Sequence, residues 1–127
     1  MSVIGIGTDI VEIARLEGMP EKSLCKLAKR VLTPRELEHF EQLNFPIPYL
    51  AKRWAAKEAA SKALGTGIAK GVSFQHFDIT SDINGKPELK LYGEALARAE
   101  QLSANQFHLS ISDERHYALA FVVLSQS

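Results

Sequence analysis

Residues 49–64 carry the feature that most constrains this chain. Ala51, Ala55 and Ala59 recur every fourth position, with Ala56, Ala60 and Ala63 beside them. On a helix these form a flat face against which another backbone can lie closely, and alanine's high helix propensity makes that helix stiff. The period predicts a helix over 49–64. Pro46 and Pro48 separate it from the preceding helix, and Gly65 ends it in the left-handed cap position. Trp54, Glu58 and Lys62 are spaced by four along one stripe. Such a carboxylate–ammonium pair is commonly a surface pair worth about 0.3–0.5 kcal/mol. Here the helix is packed rather than free, and Trp54 gives the charges an apolar neighbour.

Residues 3–12 alternate β-branched residues with glycine and polar groups, which predicts a strand. On a period of two, Val3, Gly5, Gly7, Asp9 and Val11 share a face, and the two glycines leave room for a close approach beside Asp9. A helix starting at Asp9, with Glu12 completing its cap, is the competing reading. Two further helices are expected. One covers 21–32 with Leu24, Leu27, Ala28, Val31 and Leu32 inward, where Cys25 packs with its apolar neighbours. The other runs to about Leu43 from Thr33-Pro34-Arg35-Glu36, with Thr33 as cap, Pro34 at the first position and Glu36 closing a capping box.

The second half changes period. Residues 72–82 read mostly as strand, Asn84-Gly85 as a tight turn and 87–92 as the returning strand. Residues 93–102 read as a short helix, and 106–112 with 116–125 as a hairpin whose last strand is apolar enough to be central. The fold class is therefore α+β, with a small antiparallel or mixed sheet packed against a long central helix and shorter helices.

The 127 residues suit one domain, with 46% hydrophobic and 24% charged residues. A chain this short does not easily enclose a large ligand alone, so a cofactor-sized pocket is expected to be shared with another subunit. The single cysteine precludes an internal disulfide and fits a reducing compartment. No run of about 18 apolar residues is present, and the N-terminal stretch lacks the basic start of a signal peptide, so a cytoplasmic protein off the membrane is expected. Net charge is zero, but between Arg15 and Arg35 six basic residues face only Glu17 and Glu21. That patch points to an acidic partner. Nucleic acid is the rival partner, but interleaved aromatics and recognition motifs are missing. A catalytically idle nucleotide-binding or scaffold subunit is a second rival. It would lack Asp9 or Glu58, and the chain has both. Asp9 and Glu58 with Lys62 nearby are a donor set that can gather a hard divalent cation and a polyphosphate.

The stretch Gly5-Ile6-Gly7-Thr8-Asp9-Ile10-Val11-Glu12-Ile13 resembles the N-terminal signature of the holo-[acyl-carrier-protein] synthase family of phosphopantetheinyl transferases. Residues 53–63, Arg-Trp-Ala-Ala-Lys-Glu-Ala-Ala-Ser-Lys-Ala, are similar to its second signature. Gly65-Thr66-Gly67-Ile68, Gly85-Lys86-Pro87 and His108-Leu109-Ser110-Ile111-Ser112-Asp113 follow in the family's order. Trp54 stands where the family commonly has phenylalanine.

The resemblance implies a 4′-phosphopantetheinyl transferase-like fold and a magnesium-dependent transferase. It would move the 4′-phosphopantetheine arm of coenzyme A (CoA) to a carrier-protein serine in fatty acid biosynthesis. It assigns Mg²⁺ to Asp9 and Glu58, phosphate contacts to Lys62, and proton removal to Glu58 or a metal-bound water beside it. Arg53, Gly65, Pro87 and His108 become nucleotide-side contacts, although Pro87 can equally shape its hairpin and His108 can equally be a core histidine. Arg15, Lys22, Lys26, Lys29 and Arg30 become the docking face for an acidic acyl carrier protein. The family relation further implies a homotrimer with active sites between subunits.

Overall fold

The computed structural model describes residues 2–127; Met1, the first residue of the N-terminal stretch read above, lies outside them. In chain order the elements are β1 (Ser2–Glu12), α1 (Ile13–Glu17), α2 (Glu21–Val31), α3 (Pro34–Gln42), α4 (Pro46–Ala63), β2 (Phe77–Ser81), β3 (Pro87–Leu91), α5 (Gly93–Gln101), β4 (Gln106–Asp113) and β5 (Tyr117–Gln126). The expected α+β class holds. An antiparallel sheet ordered β1-β5-β4 packs on α4, and β2 with β3 forms a separate hairpin.

All six alanines of the α4 ladder are buried, and β1 lies directly on them. A methyl group on Gly5 would collide with the Ala63 carbonyl oxygen, and one on Gly7 with that of Ala59. Only glycine permits this approach of two backbones. The expected shared face needs one correction. The register shifts between Val3 and Gly5, so Val3 turns out to solvent while Ile4 packs on the core. Gly5, Gly7, Asp9 and Val11 keep the inner face. The next helix starts at Ile13 and not at Asp9.

Pro46 and Pro48 do not precede α4 but stand in its first turn. The N–H groups there have no helical partner in any case, so proline costs nothing and its fixed φ fits. Gly65 caps the other end at φ +80°, donating to the Lys62 carbonyl at 2.9 Å. Thr33, Pro34 and Glu36 form the expected capping box of α3. Cys25 is exposed rather than packed, because Ala28 and Val31 fill the inner face of α2 while Cys25 falls among Lys22, Lys26 and Lys29 on the outer one.

Residues 72–82 are strand only over Phe77–Ser81. Ahead of it His76 Nδ1 accepts from the Ser73 N–H at 3.2 Å and bends the chain into a single 3₁₀ turn. Gln75 ties that turn to the end of α2 by donating to the Leu32 carbonyl at 2.7 Å. The β2–β3 connection is wider than an Asn-Gly turn: Asp82 Oδ1 accepts from the N–H groups of Asn84 and Lys86 at 2.8 and 2.9 Å.

β5 is central, as its composition implies. Ala118, Ala120, Val122 and Leu124 face the core, while Tyr117, Leu119 and Phe121 on the opposite face are 40–46% exposed. Ile6 and Ile10 of β1 extend that outer apolar face.

Gly7→Ala is expected to cost about 3 kcal/mol or more, the upper end for overpacking, because backbone atoms rather than a flexible side chain must yield. Gly18→Ala, which meets only one atom at 3.4 Å, serves as control. Urea denaturation followed by circular dichroism measures both.

Candidate active site

Close packing of β1 on α4 brings Asp9 to Glu58 and Lys62. Lys62 Nζ donates to Asp9 Oδ1 at 3.0 Å and to the Thr8 carbonyl at 3.1 Å. It therefore spans the two elements instead of pairing with Glu58 along its own helix. Asp9 is one-fifth exposed and Lys62 about half, so the ammonium can be drawn to another anion. Partial burial raises the Glu58 carboxyl above its ordinary range, and the Asp9 charge raises it further; Lys62, Arg30 and the Trp54 indole pull the other way. Two carboxylates that repel one another, flanked by cations, are hard oxygen donors suited to one divalent ion. Among the described residues no group of three His, Cys, Asp or Glu side chains gathers around a common point. A cation at Asp9 and Glu58 would therefore take its other oxygens from substrate and water, as Mg²⁺ commonly does.

The other expected nucleotide contacts fall elsewhere. Gly65 lies at the end of α4, one turn beyond Lys62. Pro87 and His108 line one cleft of about 420 Å³ with Lys86 and Phe121, where His108 Nε2 is 3.0 Å from Ser125 Oγ. Arg53 lines a second cleft with Arg35, Tyr49 and Ser81. Asp9 is paired with Ala120 on the inner face of the sheet. His108, paired with Val123, is on the outer face. Asp9 and His108 thus sit on opposite sides of one sheet.

The basic patch also divides. Lys22, Lys26 and Lys29 line a groove along the outer side of α2. Arg15 lies over the Trp54 ring, 5.3 Å from its centroid, and Arg30 lies over Phe74 at the same distance while its charge reaches Glu58. Arg35 leaves the patch: its Nη2 donates to Asp78 Oδ2 at 2.7 Å.

The largest group that the sequence reading missed is a buried ion pair. Lys57, fully buried, donates from Nζ to Glu36 Oε1 at 2.6 Å and to the Val31 carbonyl at 2.7 Å. Burial holds its ammonium below the ordinary lysine value, against the pull of Glu36. Glu36 also accepts from the Thr33 N–H at 2.9 Å and the Ile79 N–H at 3.0 Å, joining α2, α3, α4 and β2. The available signal was Lys57 itself, in register with Leu50, Ser61 and Leu64 on a stripe that is otherwise buried. A lysine there requires an anionic partner.

Residues 5–122 match the family model of the 4′-phosphopantetheinyl transferase superfamily. The chain is 53% identical over 126 residues to the holo-[acyl-carrier-protein] synthase of Photorhabdus laumondii, covering 99% of this chain and 100% of that one. The crystal structure of the Neisseria meningitidis holo-[acyl-carrier-protein] synthase superposes with a TM-score of 0.87 at 47% identity, covering 98% and 100% of the two chains. That of the Bacillus anthracis enzyme in complex with CoA (3′,5′-ADP) gives 0.81 at 40% identity, covering 98% of each. This chain belongs to the 4′-phosphopantetheinyl transferase superfamily.

Burial alone would raise the Asp78 carboxyl, but hydrogen bonds from Arg35 and Thr33, with the Arg35 charge, hold it below its ordinary 3.8. A carboxyl depressed in the folded state contributes stability above its ordinary value and loses it as pH falls through the folded one. Arg35→Gln should therefore lower stability at neutral pH and move acid unfolding to higher pH, the difference from the parent fading as pH falls through the folded-state value of Asp78. A circular dichroism titration from neutral to acid pH checks this; coincident acid transitions would contradict it.

Proposed function

We propose that residues 1–127 act as one phosphopantetheinyl transferase domain. It moves the 4′-phosphopantetheine arm of CoA to a serine of an apo acyl carrier protein and releases 3′,5′-ADP, in the cytoplasm and in support of fatty acid biosynthesis. The observation that carries the site assignment is Asp9 and Glu58 held in electrostatic reach across β1 and α4, with Lys62 bonded to Asp9.

In this reading Asp9 and Glu58 hold Mg²⁺, which when bound neutralises charge on the diphosphate and on the departing nucleotide. The serine Oγ attacks the phosphorus that carries the pantetheine arm. The bond from that phosphorus to the bridging oxygen breaks, and 3′,5′-ADP leaves with the electron pair. Glu58 takes the serine proton. Lys62, half-exposed on a long stem, turns from Asp9 to the phosphate oxygens.

Arg15, Lys22, Lys26, Lys29 and Arg30 dock the acidic carrier, with the lysines steering its approach and the two arginines standing beside Trp54 and Glu58. Gly65 lets the pantetheine arm pass the end of α4, while Arg53, Pro87 and His108 meet the nucleotide. A single CoA cannot touch Asp9 and His108 of one chain without rounding the sheet. The outer face between them carries Ile6, Ile10, Leu119 and Phe121 in the open, a patch of the kind that joins subunits. A homotrimer, whose sites lie where one copy's Asp9 and Glu58 meet a neighbour's Pro87 and His108, resolves both points. The chain has no described helix long and apolar enough to cross a membrane.

Incubation with apo carrier protein, CoA and Mg²⁺, followed by mass spectrometry of the carrier, should give the phosphopantetheine mass gain. Asp9→Ala and Glu58→Ala should each abolish the gain while melting like the parent. Near-normal turnover in either would remove the metal assignment. Phe121→Glu should shift the protein to monomer by light scattering, with activity lost in parallel. A monomeric variant with full activity would refute the shared site.

A further inference from the structure

The cleft of about 390 Å³ that contains Arg53 is bounded by α3, α4 and β2, with the buried Glu36 carboxylate behind it. Arg53 is held there on three sides. Its Nη2 donates to the Ile79 carbonyl at 3.3 Å, its guanidinium lies 4.5 Å from the centroid of the Tyr49 ring, and its Nε approaches Glu36 Oε2 to 3.5 Å. That last contact is too long for a hydrogen bond, and the Nε is buried with no partner. The cause is visible in Glu36, which already accepts from Thr33, Lys57 and Ile79. It attracts the guanidinium without capturing it.

The charges give this arrangement a direction. Lys57 neutralises Glu36, and Arg35 is neutralised by Asp78. Arg53 shares Glu36 with Lys57 and so is the less fully compensated cation at the cleft wall, where Glu38 also stands at the lining, and its Nε makes no hydrogen bond. Such a group is organised for an anion arriving from outside.

We propose that Glu36 is a positioning residue for Arg53: the carboxylate, fixed by Lys57 and by the backbone of α3 and β2, aims the guanidinium fork at a phosphate of the bound nucleotide. The inference rests on the reading of Arg53 as a CoA contact. It gives the buried pair a part in substrate affinity beyond its part in holding the fold. Replacing a buried pair by neutral residues of similar size commonly preserves folding, whereas removing one member leaves an uncompensated charge. The combined Glu36→Gln/Lys57→Met variant is therefore the probe.

Steady-state kinetics with CoA and apo carrier protein, alongside thermal melts, should compare this variant with Arg53→Ala and with the triple substitution. Arg53→Ala should raise KM for CoA about tenfold, the loss of one charge-assisted bond, with kcat near the parent value. The Glu36→Gln/Lys57→Met variant should melt cooperatively and raise KM for CoA several-fold with kcat little changed. The triple variant should match Arg53→Ala, because Glu36 acts only through Arg53. A parental KM in the neutral-pair variant, or effects that add in full, would overturn the proposal. An unchanged KM in Arg53→Ala would instead remove Arg53 from the CoA site and the proposal with it. If the neutral pair does not fold, Glu36→Asp keeps the charge but draws it back from Arg53, and the same comparison decides.

Discussion

Contact between two backbones, β1 on α4, sets the geometry of the candidate acidic site. Helix and strand usually meet through side chains, which leaves play between them. With glycine facing the Ala59 and Ala63 carbonyls there is none. Asp9 lies two residues beyond Gly7 on the same face, and Glu58 precedes Ala59. The spacing of the backbone positions that carry the two carboxylates is therefore set by main-chain packing. That matters because like charges oppose their own assembly: Asp9 raises the proton affinity of Glu58. A site that repels itself persists only where its surroundings over-determine it. The buried alanine face of α4 supplies that determination.

Lys57 and Glu58 are neighbours in sequence with opposite fates. One helical step of about 100° sends Lys57 into the core and leaves Glu58 at the site. The buried Lys57–Glu36 pair then fixes the rotation of α4 about its axis, since any roll would pull Nζ from Glu36 and from the Val31 carbonyl. Its contribution to net stability is modest at best, because desolvating two charges offsets most of their attraction. What it adds is orientation. A rolled helix would leave a charge buried without its partner.

The legible parts of this chain were those written in local spacing. The α4 ladder, the α3 capping box, the Gly65 cap and the central β5 all follow from periods and end signals within a few residues, and the structure has each of them. The structure also brings Asp9, Glu58 and Lys62 together, where the glycines mark the contact of strand and helix. Glu36 was read only as a cap because its longer-range partners, Lys57 and Ile79, are 21 and 43 residues away. Cys25 was misplaced because apolar neighbours in sequence are not neighbours on a helix. Residues 72–82 were over-read as strand because one histidine-to-backbone bond, His76 to Ser73, outweighs the β-propensity around it.

The position of the candidate residues on the two faces of the sheet bears on why so short a chain can act on so large a cosubstrate. The inner face is committed to α4 and to the acidic site. Enclosing a nucleotide there would require opening the core that aligns the carboxylates. The outer face costs nothing to use, since Leu119 and Phe121 already stand in solvent and their burial against a second copy is favourable. A strand alternates its side chains between faces, so a single β5 can serve the core with Ala118, Ala120 and Val122 and a neighbour with Tyr117, Leu119 and Phe121. Dividing the site between copies, as proposed, would let the rigid half remain rigid. The half that must admit and release a ligand would then be built at a boundary between molecules, where packing is more readily opened than in the interior of one.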